Sequence, residues 1–224
     1  MSFVQIGDWQ PFDEGGRRKY VNADEGPRFL IEADQLPPDR RALCYIYVFT
    51  GCRVSEALEL SIHRLDTQRC ALVIRTLKRR KLVFRVVPIP EFLVEILLAL
   101  PCDEDGRWWP IHRVTAWRII KGCMMRARIE GPQATGKGLR HGYGIKSAER
   151  SVPPNLAQRW MGHASVSTTL LYQDAVGLEE RAFAARMWPE VSSDIARSAS
   201  STHSRSGPPA SGRSARRASC RSRA

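Results

Sequence analysis

Two neighbouring segments of this chain, CALVIRT and LVFRVVPIP, are runs of β-branched and apolar residues, and the basic stretch LKRRK separates them. Runs of that length and composition, joined by a short polar turn, predict a β-hairpin with a cationic tip. Around it, apolar residues recur at helical spacing. In NADEGPRFLIEAD, Asn22 with Glu25 three positions on forms a capping-box pattern, and the helix it opens ends before Pro37. PDRRALCYIYVFTG is apolar on nearly every side after its first turn, which predicts a buried helix stopped by Gly51. A short amphipathic helix, RVSEALELS, follows directly. Beyond the hairpin come EFLVEILLAL and VTAWRIIKGCMMRARIE, where Val114, Trp117, Ile120, Met124 and Met125 make a stripe expected to face the core. GLRHGYGIKSAER and NLAQRWMGH flank the Pro153-Pro154 break, and STTLLYQDA and LEERAFAARMW close the folded part. The fold class expected is α+β, mainly helical, with one small antiparallel hairpin or sheet.

Charge narrows the partners. The chain has 224 residues, room for one domain with extensions, and 35 Lys and Arg stand against 23 Asp and Glu for a net charge of +12. Such an excess favours polyanions, nucleic acid before a membrane surface. Half of it lies in the stretch from Ser192 to Ala224, which holds seven Arg, one Asp and almost no large apolar side chain. A segment so poor in apolar surface cannot offset the entropy of ordering, so a disordered Arg- and Ser-rich tail is expected there, either a solvated appendage or a non-specific phosphate contact. The division expected is therefore an extended lead-in over 1–20, one domain over 21–190 and the basic tail over 191–224. No apolar run reaches the roughly 18 residues needed to span a bilayer, and the N-terminus lacks a basic start and an apolar signal core, so a cytoplasmic location is expected. The six cysteines, Cys44, Cys52, Cys70, Cys102, Cys123 and Cys220, form no C-x-x-C pair and are read as reduced, mostly buried thiols.

Each remaining motif says little alone: Arg53 after a Gly-Cys turn is an ordinary surface cation, and Tyr172 in STTLLYQDA an ordinary packing residue. Their order says more. TGCRVSEAL, the basic hairpin, KGLRHGYG, MGH and a Tyr nine residues beyond that His together resemble the catalytic domain of the tyrosine recombinases, the phage integrase family, over about residues 20 to 188.

The resemblance implies a role for each matching residue. Arg53 matches the first catalytic Arg and Glu56 the acidic residue that supports it, while Lys78 in RTLKRRK matches the hairpin lysine. Arg140 in KGLRHG matches the second Arg, His163 in MGH the following His, and Tyr172 the nucleophile. The chemistry fits these residue types. Two guanidinium forks suit the non-bridging oxygens of a phosphorane, and His163 adds a further hydrogen bond. The Tyr172 phenol attacks phosphorus to give a 3′-phosphotyrosyl bond that conserves energy for religation, and Lys78 protonates the departing 5′ oxygen. The resemblance thus implies a site-specific DNA recombinase or integrase working without ATP, metal or other cofactor.

One position departs from the family pattern. Three residues before the second Arg, where the family most often has His, this chain has Lys137. A protonated Lys cannot accept the tyrosine proton, so Lys137 is read as a phosphate contact first and a general base second. His141 either orients a partner or satisfies the core. About 20 residues precede the domain, where family members carry a separate DNA-binding domain. The alternatives are a catalytic domain alone, a truncated product, or a chain that borrows the missing half from a partner recombinase. Double-stranded DNA is the partner implied, with a homotetramer on DNA for strand exchange. The face of LEERAFAARMW bearing Leu178, Ala182, Ala185 and Trp188 docks either on a neighbouring protomer or on its own domain. Two rival functions stay open: a non-catalytic DNA-binding member of the same fold, and nicking and reclosing of one strand as in type IB topoisomerases.

Overall fold

The computed structural model describes residues 10–77 and 82–172. Chain entry follows the capping box: the Asn22 side chain accepts a hydrogen bond from the Glu25 amide at 2.9 Å, and the Asn22 amide donates to the Glu25 carboxylate at 3.1 Å. Helix α1 (Glu25–Asp34) then leads to α2 (Pro38–Thr50), which starts on a proline whose missing N–H costs nothing in the first turn. Leu43, Cys44, Ile46 and Tyr47 of α2 are fully buried, and Gly51 ends the helix with φ of +59°. The helix at RVSEALELS is shorter than its pattern: α3 covers Val54–Leu58, and a single 3-10 turn, Ile62–Arg64, follows.

The hairpin forms. Strands β2 (Ala71–Arg75) and β3 (Phe84–Pro88) pair antiparallel with Leu72 opposite Val87 and Ile74 opposite Arg85, and the two-residue β1 (Leu65–Asp66) adds to the outer edge of β2. Its tip, with Lys78, lies outside the described residues. Four further helices and one short turn complete the body: α4 (Glu91–Leu98), α5 (Arg113–Arg126), α6 (Gly136–Glu149), α7 (Pro154–Met161) and α8 (Ser167–Leu170). The fold is thus α+β and mainly helical, with one small antiparallel sheet.

The α5 stripe needs correction. Ile120 and Met124 are buried, but Val114, Trp117 and Met125 are 45%, 50% and 71% exposed. Small residues complete the inward face instead: Ala116, Ile120, Cys123 and Met124 recur at helical spacing, and all are buried. Trp117 sits at the margin of that face, and Val114 and Met125 lie farther round.

One main core joins α1, α2, α5 and the sheet, and a small second cluster gathers Ile145, Met161 and Tyr172 with Tyr20, Tyr143 and Ala148 packed against it. Among the described cysteines, Cys44, Cys52 and Cys123 are buried, Cys70 is half-buried, Cys102 is exposed, and all five are free thiols. Cys220, the tail and LEERAFAARMW lie outside the described residues. No helix among those described is long and apolar enough to cross a membrane.

Candidate active site

Helix α6 carries the centre of the site. Its N-cap, Thr135, accepts a hydrogen bond from the Gly138 amide, and one turn later Arg140 points inward with 7% exposure. The Arg140 guanidinium donates to the Gly51 carbonyl and to the Met161 carbonyl, both at 2.6 Å. Those oxygens belong to the C-terminal ends of α2 and α7, where unpaired carbonyls gather partial negative charge. Burial, and then the nearby charge of Arg53, lower the Arg140 pKa to about 10, which leaves it cationic at neutral pH.

Arg53 stands at the N-cap of α3. Its amide donates to the Glu56 carboxylate at 3.0 Å and its guanidinium to the other carboxylate oxygen at 2.8 Å. The Glu56 side chain is fully buried, whereas that of Arg53 keeps 25% of its surface open to solvent. Burial alone would raise the Glu56 pKa. The charge and hydrogen bond of Arg85, then those of Arg53, outweigh it and hold the carboxyl below its usual range.

The third group of residues surrounds Tyr172, which follows α8 and is 2% exposed. His163 lies just past Gly162, which ends α7 at φ of +66°, and its ring stacks on that of Tyr172 with centroids 5.8 Å apart. The His163 Nδ1 pairs with the Thr169 hydroxyl at 3.0 Å. From the other side, His141 on α6 places Nδ1 3.0 Å from the Tyr172 hydroxyl. The ring of Tyr172 lies so close to α6 that a Cβ on Gly144 would come within 2.6 Å of it, which only a glycine allows. Burial, and then the surrounding cations, depress the pKa of both histidines to about 3, so both imidazoles are neutral. Burial raises the Tyr172 pKa to about 12, against the opposing pull of Arg140 and Arg53.

Arg53, Glu56, Arg140, His141, His163 and Tyr172 therefore converge from four parts of the chain. Lys137 sits in the first turn of α6, exposed, and makes no ion pair with another described residue. Lys78 lies outside the described residues. Three further side chains enter the site unforeseen: Thr169 on His163, and Arg85 with Thr76 behind Glu56. A cleft of about 230 Å³ lies between β3 and the end of α7, with Thr76, Arg85, Gly162 and His163 in its walls. Two fixed guanidinium groups, neutral imidazoles and a phenol that converge in this way are suited to holding a tetrahedral oxyanion beside a nucleophile.

A small hairpin sheet flanked by helices, with these side chains at its helix ends, is the fold of a tyrosine recombinase catalytic domain. The chain belongs to the phage integrase family, whose model matches residues 19–176. It is 30% identical over 164 residues to the tyrosine recombinase XerA of Pyrococcus furiosus, a match covering 66% of this chain and 55% of that one. The crystal structure of XerA recombinase superposes with a TM-score of 0.62 at 26% identity, covering 77% of this chain and 66% of that one. The catalytic domain of bacteriophage HP1 integrase superposes with a TM-score of 0.56 at 25% identity, covering 69% of this chain and 86% of that domain. The chain spans about half the length of the curated relatives it matches.

Proposed function

We propose that this protein cleaves and rejoins DNA strands as a site-specific tyrosine recombinase. The observation that carries the reading is the Tyr172 phenol, stacked on His163 and hydrogen-bonded to His141, beside an Arg140 guanidinium held by two backbone carbonyls. Arg53 and Arg140 take the non-bridging oxygens of the scissile phosphate, and His163 donates to one of them. Tyr172 attacks phosphorus as its proton leaves. The bond to the 5′ oxygen breaks, Lys78 protonates that oxygen, and a 3′-phosphotyrosyl linkage remains. Attack by the 5′ hydroxyl of a partner strand reverses these steps and releases Tyr172. One phosphodiester is exchanged for another, so religation draws on no nucleotide triphosphate.

Lys137 and His141 divide the remaining work. Lys137, exposed one turn before Arg140, is a phosphate contact; His141, neutral and within hydrogen-bond distance of the phenol, orients it for attack. Exchange between two duplexes requires four such sites, so the working form is a homotetramer on double-stranded DNA. Similarity to the XerH recombinase solved with difH DNA, at 20% identity, supports the fold of this reading.

The test is a covalent trap. End-labelled duplex nicked next to the cleavage point is incubated with the full chain in EDTA, quenched in SDS and resolved on a denaturing gel. A protein-linked band is expected with the natural chain and none with Tyr172→Phe, which should still shift DNA. A band that persists in Tyr172→Phe, or no band despite DNA binding, overturns the reading.

A further inference from the structure

Arg85 is the cation that the site's chemistry leaves unused. It occupies the middle of β3 and points inward, its side chain 3% exposed. Its guanidinium donates to the Glu56 carboxylate at 2.6 Å, to the Thr76 hydroxyl at 2.9 Å and to the Trp160 carbonyl at 2.8 Å. The three partners lie on three different segments. Glu56 holds Arg53, Thr76 begins the loop that leads from β2 to the hairpin tip, and Trp160 lies three residues before His163. Gly162 passes so close that a Cβ there would stand 3.0 Å from the Arg85 guanidinium.

A buried ion pair is an inefficient way to stabilise a core, because desolvation offsets most of the Coulombic gain, and an apolar side chain of similar volume does as well or better. What such a side chain cannot supply is direction. The planar fork of Arg85 fixes three acceptors at set angles, and all three lead to groups of the site.

We propose that Arg85 is a positioning residue for strand cleavage: through Glu56 it aims the Arg53 fork, and through Trp160 it fixes the end of α7 from which His163 projects. The inference rests on the reading that Arg53 and His163 contact the scissile phosphate. Arg85 itself touches no substrate.

The experiment uses the full chain and the nicked duplex, with the scissile linkage either a phosphodiester or a methylphosphonate. The methylphosphonate lacks the negative non-bridging oxygen, so it depends less on a well-aimed Arg53. Arg85→Met fills the same space without charge or donors. Adduct formation at saturating DNA is expected to fall by about 10²-fold on the phosphodiester, the scale seen when one oxyanion donor is lost. DNA affinity should stay within a few-fold, and the penalty should shrink on the methylphosphonate as it does for Arg53→Ala. Arg85→Lys keeps the ion pair with Glu56 but loses the fork. It should melt close to the natural chain and still show a smaller penalty of the same linkage-dependent kind, which keeps the test decisive if the Met variant does not fold. Equal penalties on both linkages, or natural cleavage rates in either folded variant, overturn the proposal. Failure of the underlying reading looks different: Arg53→Ala would then cleave the phosphodiester normally, or the natural chain would form no Tyr172 adduct.

Discussion

The two arginines at the site are fixed by opposite means. Arg140 rests on two uncharged carbonyls at helix ends, so its direction is set, and no carboxylate among the described residues is hydrogen-bonded to it. Arg53 rests on Glu56, a carboxylate it shares with Arg85, so that corner holds two cations on one anion. Helix-end carbonyls give position and only partial negative charge, whereas a shared carboxylate gives position with a full counter-charge and keeps a second, buried guanidinium tolerable. The Glu56 corner is therefore the more fragile in stability and the Arg140 corner the more sensitive in chemistry. Glu56→Ala, which strands Arg85 without its counter-charge, should cost about 3–5 kcal/mol in urea unfolding, the usual result of removing one partner of a buried pair. A loss below about 1 kcal/mol would mean that water or another group neutralises Arg85 and that the corner is not built on charge.

Arg140→Ala reverses the balance. Cleavage should fall by about 10²- to 10³-fold in the covalent trap, equivalent to roughly 2.7–4 kcal/mol of transition-state stabilisation. Stability should fall less than for Glu56→Ala, since the groups left behind are neutral. Arg140→Lys should recover little activity, because an ammonium lacks the planar fork that spans the Gly51 and Met161 carbonyls while facing a phosphate. Near-natural cleavage by either variant would remove Arg140 from the phosphate clamp.

A smaller effect separates the tyrosine pocket from both corners. Gly144→Ala puts a methyl group 2.6 Å from the Tyr172 ring, so ring or helix must move. Overpacking of this kind costs about 1–3 kcal/mol. Adduct formation should fall further than that loss of stability explains, while DNA binding persists; unaltered cleavage would show that the tyrosine does not work from this position.

How much of this was legible in the sequence follows from the distance over which each contact is made. The hairpin, the Asn22–Glu25 box and the Gly51 stop are local, and their patterns predict them. The α5 stripe went astray because large apolar residues drew the face, when Ala116 and Cys123, being small, let the helix approach the core. Arg85 was hidden by its own strand. In FRVVP the large apolar Phe84 and Val86 face outward and Arg85 shares the inner face with Val87, the reverse of what hydrophobic alternation suggests. The spacing of His163 and Tyr172 could be read as a motif. The contact between His141 and Tyr172 could not, because it joins α6 to the residues after α8, 31 positions apart.

The smallest effect expected is a slope with pH. His141 and His163 stay neutral in the folded chain down to about 3, while in the unfolded chain they take up protons near the ordinary value of 6.5. Below that value the unfolded state binds more protons, so the stability present above pH 6.5 is lost progressively as pH falls toward 3. At pH 5.5 each histidine should have removed about 1.4 kcal/mol relative to pH 7.5, one pK unit of linkage. Urea unfolding of the natural chain, His141→Gln and His163→Gln at the two pH values measures it, each variant losing about half of the two-histidine slope. The same comparison bears on the arginine corners. Burial is the larger cause for both rings, but Arg140, Arg53 and Arg85 then depress His163, whereas Lys137 and Arg140 depress His141. Arg85→Met should therefore raise the His163 pKa and leave that of His141 nearer its place, a difference that NMR titration of the two rings would read. No movement of either ring would mean that burial alone sets them and that the cations around the site act only on what binds there.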